Sequence, residues 1–330
     1  MSSRLTAVAS LAAAMVLVGS SVAVGRSMTA ALPLSFASLA RFLLASLVLV
    51  PLVVVVEGRF PRVSRRTFYA LLAQAACGSF AFTVCLLSGL KFTGAASAGV
   101  TAAATPAMVT LFGAVCFKER PGRLALAGIG CVMAGLAVLG FASAGPGVGP
   151  APLWGNALVL LAVCFEAVFL LLRRAVREPL SPLAAAMWVS LLGGLFFLVP
   201  GVWEALTLDL GNIPARAVGE VVYYGLGVTA AAYMFWFYGV VRVDAATAGV
   251  AAGIMPVAAL ACAALWCEET IGWREMAGCV GVLAGIVCLA GGAGKKTARP
   301  GNSLPGRADK RRLGFARPLY DPPALGGGGT

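Results

Sequence analysis

The hexapeptide Ala95-Ala96-Ser97-Ala98-Gly99-Val100 returns 150 residues later as Ala245-Ala246-Thr247-Ala248-Gly249-Val250. The same spacing joins residues on both sides of the hexapeptide: Gly89 and Gly239, Pro106 and Pro256, Glu119 and Glu269, and Gly128 and Gly278. A series of matches at one constant spacing indicates an internal repeat. We therefore predict two structural repeats, residues 1–142 and residues 153–293.

Both predicted repeats are strongly apolar. Of the 330 residues, 60% are hydrophobic and 12% are charged, and the mean hydropathy is +0.92. This composition predicts an all-α integral membrane protein, because a soluble domain cannot bury so many apolar side chains. Runs long enough to cross a bilayer as a helix occur ten times, at roughly 5–25, 32–56, 68–90, 94–116, 124–142, 153–172, 181–203, 217–240, 245–267 and 273–292.

The first apolar run follows Arg4 and has some features of a signal peptide. However, its stretch from Val18 to Arg26 matches the stretch from Glu166 to Arg174 in the sixth run, at a spacing of 148 residues. Removing the first run would leave one repeat a helix short. We therefore expect it to remain as the first transmembrane helix.

The basic residues predict the orientation of the chain. With the N-terminus inside and ten crossings, 20 of the 25 Lys and Arg residues lie on the inner side. The positive-inside rule then places both termini in the cytoplasm. We expect the protein to lie in the inner membrane of the cell. Since each repeat has five helices, an odd number, the second repeat enters from the opposite side. Such inverted repeats permit alternating access to a site near the bilayer midplane.

Two segments lie outside the repeats. Residues 143–152 are predicted to form an extracytoplasmic linker, and residues 294–330, rich in Gly, Pro, Lys and Arg, a disordered cytoplasmic tail. The net charge of +12 follows from topology and from this tail. No aromatic or folded basic platform accompanies the tail, so we expect no nucleic-acid partner.

Several kinds of chemistry are disfavoured by the residues that the chain lacks. It has no histidine, and its nine cysteines fall within or at the ends of apolar runs without a C-x-x-C pair. It also has no G-x-x-x-x-G-K-[ST] loop for a nucleotide. We therefore predict no enzymatic activity, no metal site and no cofactor.

The repeated motifs resemble those of the EamA-type family of the drug/metabolite transporter superfamily, over about residues 5–292. The resemblance is carried by the stretch from Gly89 through Pro106 to Arg120, by its counterpart from Tyr233 through Pro256 to Glu269, and by Pro33-Leu34-Ser35 with Arg41 and Pro179-Leu180-Ser181. It implies a ten-helix carrier that moves small metabolites, often amino acids or related compounds, without ATP hydrolysis and usually outward. It also implies that Glu119 and Glu269 are structural signatures, which cap a helix or pair with Arg120, Arg123 or Arg274.

The chain departs from the family pattern at the expected site. Family members commonly have tryptophan in the middle of the first and sixth helices, where this chain has Val18 and Glu166. An intramembrane carboxylate costs about 2.5–3.5 kcal/mol unless it faces water or a partner. Glu166 is therefore expected to bind a cation, to carry a proton or to pair with Arg41. Arg41 is open to two interpretations, a packing or gating charge and a substrate contact.

Other polar residues recur at helical spacing in the fourth run. Ser97, Thr101 and Thr105 fall on one helix face, where they would line a cavity or bond to neighbouring helices. Pro106 and Pro256 are predicted to kink their helices, each freeing a carbonyl four residues earlier. Tyr233 lies deeper than the aromatic residues of the membrane interface, and we expect it to contact the cavity.

The sequence thus predicts a secondary transporter of a small polar metabolite such as an amino acid or derivative. The predicted direction of transport is export. Its partners would be the substrate and the lipid bilayer. Two alternatives stay open: a proton-coupled exporter of cationic or amphipathic compounds, and a non-transporting membrane scaffold. Glycine-rich faces on the fifth and tenth runs would serve internal packing or a homodimer contact.

Overall fold

The computed structural model describes residues 2–118, 120–140, 149–173, 176, 180–240 and 242–297, and within these ranges the regular structure is entirely helical. Two π-helical segments, Ala75–Ala81 and Tyr223–Ala231, and a short 3-10 turn, Leu210–Asn212, accompany the α-helices. These are α1 Ser2–Ala31, α2 Leu34–Glu57, α3 Arg65–Gln74, α4 Phe82–Gly89, α5 Ala95–Ala102, α6 Thr105–Cys116, α7 Arg123–Gly140, α8 Pro152–Leu172, α9 Pro182–Thr207, α10 Ala215–Val222, α11 Ala232–Val240, α12 Ala245–Ala252, α13 Ile254–Trp266 and α14 Trp273–Thr297.

The predicted all-helical membrane fold is confirmed, but the count of ten spans is not. Among the described residues, eight helical runs are long and apolar enough to cross a membrane, and the bent pair α5 and α6 would make a ninth. The one predicted span not among these is the fifth, which corresponds to α7, whose apolar part, Arg123–Leu139, is shorter than the others. We name the two ends of the bundle after residues of α1. The Arg4 end is the one where α1 begins, and the Arg26 end is the one where α1 ends.

Equivalent helices of the two repeats pack against each other in antiparallel pairs. A methyl group added at Gly128 of α7 would lie 2.9 Å from the carbonyl oxygen of Gly285, and one at Gly135 would lie 2.8 Å from that of Gly278. At the 150-residue spacing, Gly278 is the counterpart of Gly128, and Gly285 that of Gly135. The two contacts therefore exchange by a two-fold rotation, as inverted repeats require.

A second antiparallel pair joins α2 to α9, with Gly201 against Leu39 and Gly193 against Phe42. The remaining contacts cross between the repeats. Helix α1 packs mainly on α11 and α13, whereas its counterpart α8 packs on α4 and α6. The first helix of each repeat thus fits against the third and fourth helices of the other. The interior of the bundle is consequently built by both repeats together.

Both repeats contain a π-helical segment at the same place. Ala75–Ala81 joins α3 to α4 in one continuous helix, and Tyr223–Ala231 joins α10 to α11. π-helical turns are rare and occur frequently at functional sites. Each segment ends two residues before a polar side chain, Thr83 in the first repeat and Tyr233 in the second.

The fourth span of the first repeat is broken. Helices α5 and α6 meet at an angle of 40°, and Pro106 lies in the first turn of α6. Thr105 Oγ1 lies 2.9 Å from the carbonyl oxygen of Ala102, the group that Pro106 deprives of its helical donor. In the second repeat Pro256 lies in the first turn of α13, but Thr247–Trp266 continues as one span.

We expect Gly285→Ala to lower the apparent melting temperature of the purified protein by about 3–10 °C. The added methyl group would lie 2.4 Å from Val132 Cγ2 and 2.7 Å from the Gly128 carbonyl oxygen, so α7 and α14 must separate. The matched control is Gly130→Ala, because nothing lies within 4 Å of a methyl group at that position. Thermal unfolding followed by size-exclusion chromatography measures both variants, and equal melting temperatures would contradict the close helix contact.

Candidate functional site

Arg41 of α2 is a buried cation with a vacant donor. Only 7% of the residue is exposed. Its guanidinium lies 4.3 Å from the ring centre of Phe42 and 4.8 Å from that of Tyr224, and its Nη2 donates to Thr83 Oγ1 at 2.6 Å. Among the described residues, none accepts a hydrogen bond from its Nε. No carboxylate in the described ranges forms an ion pair with Arg41, so aromatic faces and one hydroxyl are what stabilise its charge.

Glu166 of α8 lies beside the helix break of the other repeat. Thr105 Oγ1 donates to Glu166 Oε2 at 2.6 Å, although the same hydroxyl also lies 2.9 Å from the carbonyl oxygen of Ala102. The predicted ion pair between Glu166 and Arg41 is not present among the described contacts. The Glu166 carboxylate is therefore hydrogen-bonded to a hydroxyl at the helix break. There it can bind a cation or a proton.

Tyr233 of α11 lies close enough to both charged groups to interact electrostatically with Glu166 and with Arg41. It also packs against the buried cluster that contains Met187. Tyr233 thus lies within electrostatic range of Arg41 and of Glu166, two other residues that the sequence singled out.

The remaining hydroxyls of the predicted stripe have partners within the helix packing. Ser97 Oγ donates to Asn156 Oδ1 at 3.1 Å, and Thr101 Oγ1 donates to the carbonyl oxygen of Ser97 at 2.9 Å. Both residues are buried. Of the three stripe residues, Thr105 is the one that reaches the Glu166 carboxylate.

Sequence reasoning did not single out Tyr224, whose ring covers Arg41, or Tyr223, whose hydroxyl lies 2.6 Å from Ser20 Oγ. The repeat did contain a signal for Tyr224. Its counterpart at the 150-residue spacing is Gln74, another polar residue within an apolar span and also buried. Aligning the polar residues of the two repeats would have marked both positions as candidates for the interior.

Glu269 joins three helices at the Arg26 end. Its carboxylate accepts hydrogen bonds from the backbone amides of Ala95 at 2.7 Å and Ala96 at 2.9 Å, the first residues of α5. It also forms an ion pair with Arg26 of α1, not with its sequence neighbour Arg274. A carboxylate at a helix N-terminus satisfies free amides and interacts favourably with the helix dipole. Its counterpart Glu119 lies outside the described residues.

A second carboxylate at the same end was not predicted. Glu220 of α10 is only 2% exposed, and its Oε1 accepts from Ser27 Oγ at 2.6 Å, Arg216 Nε at 3.1 Å and Trp266 Nε1 at 3.1 Å. Together, Glu269 and Glu220 connect α1, α5, α10 and α13. We refer to Arg26, Glu269, Glu220 and Ser27 as the Arg26-end cluster.

The contact of α1 at the opposite end is weaker. Arg4 pairs with Asp244 at 3.5 Å, and both side chains are exposed. Asp244 mainly caps α12, and the hydrogen bonds from the Thr247 amide and hydroxyl hold the pKa of Asp244 below its usual value. Exposed ion pairs contribute little to stability, so of the two ion pairs described for α1, the one at its Arg26 end contributes more.

Comparison with known proteins places these features in a family. The model of the EamA-like transporter family matches residues 5–141 and 153–291, which cover both repeats. The chain belongs to the EamA-like transporter family. This EamA-like protein is therefore a multi-pass membrane transporter, and its family points away from an enzyme.

Relatives and a solved structure agree with this assignment. The EamA-like chain is 34% identical over 284 residues to an uncharacterised transporter, YetK, of Bacillus subtilis (strain 168), with 86% of each chain covered. It is 26% identical over 253 residues to a protein of Streptantibioticus cattleyicolor named as a probable terminal-alkyne amino-acid exporter, covering 76% of this chain and 82% of that one. A crystal structure matches with a TM-score of 0.62 and 19% identity, over 89% of this chain and 98% of the other, which supports the fold.

We expect Glu269→Gln to increase maleimide labelling of Cys267 several-fold when Cys267 is the sole cysteine. The thiol of Cys267 bonds to the carbonyl oxygen of Ala23 on α1 at 3.4 Å, and burial raises its pKa, so the reactive thiolate is scarce at neutral pH. Loss of the Glu269 charge should release α1 and expose the thiol.

The control for this labelling experiment is Glu275→Gln, an equal change at a half-buried carboxylate of the same end, which accepts a hydrogen bond from the Gly272 amide. Labelling is followed over a range of pH in lipid nanodiscs, which separates a changed thiol pKa from a changed accessibility. An unchanged rate at high pH in Glu269→Gln would show that Glu269 does not hold the Arg26 end together.

Proposed function

We propose that this EamA-like protein exports a small zwitterion, such as an amino acid or derivative, across the cell membrane by alternating access, with both termini in the cytoplasm. The observation that carries the proposal is the pair of opposite charges in the interior. Arg41 comes from the first repeat and Glu166 from the second, and the two do not form an ion pair with each other. Two separated charges of opposite sign match the two charges of a zwitterion.

Arg41 is suited to hold the substrate carboxylate. Its Nε lacks a partner, while Nη2 is bonded to Thr83. A carboxylate binds a guanidinium best through two parallel hydrogen bonds, and the vacant Nε supplies one of them. Phe42 and Tyr224 keep the guanidinium plane in place by stacking. A bound carboxylate would neutralise a cation that has no carboxylate partner of its own in the described ranges.

Glu166 is suited to hold the substrate ammonium. Its Oε2 accepts from Thr105, which leaves acceptor capacity on the carboxylate for an ammonium group. Tyr233, which interacts with both charges, would lie beside the bound molecule. The relative from Streptantibioticus cattleyicolor, named as a probable amino-acid exporter, supports the same substrate class.

The contacts described at the two ends of α1 support export. The basic residues assign the Arg26 end to the extracytoplasmic side. There the Arg26-end cluster ties α1 to α5, α10 and α13 through two carboxylates, while α1 has an exposed ion pair at the Arg4 end. This arrangement fits a state that is closed toward the outside. A carrier in that state accepts its substrate from the cytoplasm.

Proton coupling is a second candidate, favoured by the geometry at Thr105. Its hydroxyl lies within hydrogen-bond distance of both Ala102 O and Glu166 Oε2, but one hydroxyl proton serves one acceptor well. Both hydrogen bonds form together when a protonated Glu166 donates to Thr105 and Thr105 donates to Ala102. In this role Glu166 carries the coupling proton during the cycle and does not hold the substrate ammonium.

In proteoliposomes, we expect Arg41→Gln and Glu166→Gln each to reduce exchange of labelled amino acids about tenfold or more, since each removes a charge-assisted hydrogen bond. For the native protein, N-acetylated amino acids and amino-acid amides should compete poorly, because each lacks one charge. Glu275→Gln is the control for the amide substitution, at a carboxylate outside the proposed site. Full exchange by both interior variants would refute the proposed site, and no uptake from a broad metabolite pool would favour a scaffold.

A pH gradient tests the coupling role of Glu166. If Glu166 carries the coupling proton, an imposed gradient should accelerate initial uptake by the native protein several-fold. Glu166→Gln should abolish this acceleration while exchange without a gradient persists. A gradient response that survives in Glu166→Gln would assign the coupling to another group. Loss of both activities together would favour the substrate-binding role.

A further inference from the structure

A separate cavity lies at the Arg4 end, away from Arg41 and Glu166. It has a volume of about 520 Å³ and lies between the loop after α2, the start of α3 and the beginning of α9. We call it the loop pocket, and the residues that define it are Phe60, Arg62, Arg65, Phe68, Tyr69 and Trp188. We propose that the loop pocket binds the phosphate-bearing headgroup of an anionic phospholipid.

Aromatic rings build the wall of the loop pocket around Trp188. The Trp188 ring centre lies 5.6 Å from that of Phe60 and 6.2 Å from that of Phe68, in edge-to-face contacts. Trp188 Nε1 also donates to the carbonyl oxygen of Pro61 at 3.2 Å. These contacts fix the indole and fasten the loop to α9. The wall of the pocket is thus formed before any ligand arrives.

The charges of the loop pocket favour an anion. Arg62 and Arg65 line it, both are exposed, and neither forms an ion pair within the described ranges. Arg65 is also the first residue of α3, so its charge adds to the positive end of the helix dipole. Glu57, the carboxylate at the end of α2, is engaged by Ser181. Two guanidinium groups without anions suit a phosphate, which accepts paired hydrogen bonds from arginine.

The position of the loop pocket favours a lipid as the source of the phosphate. Trp188 lies in the second turn of α9, at the depth where aromatic residues commonly meet the headgroup region. The last turn of α2 presents apolar side chains outward beside the loop, including Val55, which is 80% exposed. An acyl chain can follow this surface while the headgroup enters the pocket. Basic pockets at the cytoplasmic side of a membrane bind anionic headgroups in this way.

Native mass spectrometry of the purified full-length protein tests this proposal with phosphatidylglycerol and phosphatidylcholine. We expect one phosphatidylglycerol molecule to be retained per chain and phosphatidylcholine to be lost. The double variant Arg62→Gln, Arg65→Gln should bind phosphatidylglycerol about tenfold more weakly, because each basic side chain near the headgroup contributes to the attraction. Its melting temperature in phosphatidylcholine nanodiscs should equal that of the native protein.

The matched control is the double variant Arg59→Gln, Arg66→Gln, which removes the same charge from the same loop and helix turn but from residues that do not line the pocket. It should retain the lipid. Equal weakening in both double variants would overturn the proposal, because attraction would then come from the overall positive charge. Displacement of the lipid by millimolar inorganic phosphate would assign the pocket to a soluble anion instead, and equal retention of phosphatidylcholine would remove the role of charge.

Discussion

Hydrocarbon cannot hydrate a charged or hydrogen-bonding group, and this constraint decides where the polar side chains of the bundle lie. The carbonyl oxygen of Ala102, freed at the helix break, is met by the Thr105 hydroxyl. The Arg41 guanidinium is stacked between rings, and Glu220 has three donors around one oxygen. Each of these three groups thus has a particular neighbour. The helices that carry these neighbours are thereby held in register.

The two repeats share a scaffold but differ in their interior chemistry. The paired glycines of α7 and α14 and the two π-helical segments occur at equivalent places. The charges do not. The spacing of 146 residues between Pro33-Leu34-Ser35 and Pro179-Leu180-Ser181 makes Met187 the counterpart of Arg41, and the spacing of 148 residues makes Val18 the counterpart of Glu166. Each charge therefore has an apolar counterpart in the other repeat. An asymmetric molecule such as a zwitterion fits an asymmetric site, whereas the symmetric scaffold allows the two ends to exchange roles.

At the Arg26 end, one carboxylate holds the two repeats together. Glu269 reaches from the end of α13 to the first residues of α5 and to Arg26, so a contact between the repeats depends on one charged group. Opening this end requires the carboxylate to leave two amides and a guanidinium together. Because these contacts are lost together, two discrete conformations, closed and open at this end, are more favourable than intermediate ones. A carrier needs two such conformations in order to expose its site to one side at a time.

The membrane class, the all-helical fold, the repeat and the family can be read from the amino-acid sequence, because hydrophobic length and residue spacing are properties of a linear chain. Arg41 and Glu166 can be identified in the same way, since a charge within an apolar run is conspicuous without any coordinates. The partners of the charged residues depend on the folded structure. Glu269 binds Arg26 rather than Arg274, and Glu220 binds Ser27. Hydrogen bonds and ion pairs act over a few ångströms, and packing of the helices brings together residues that lie far apart in the chain.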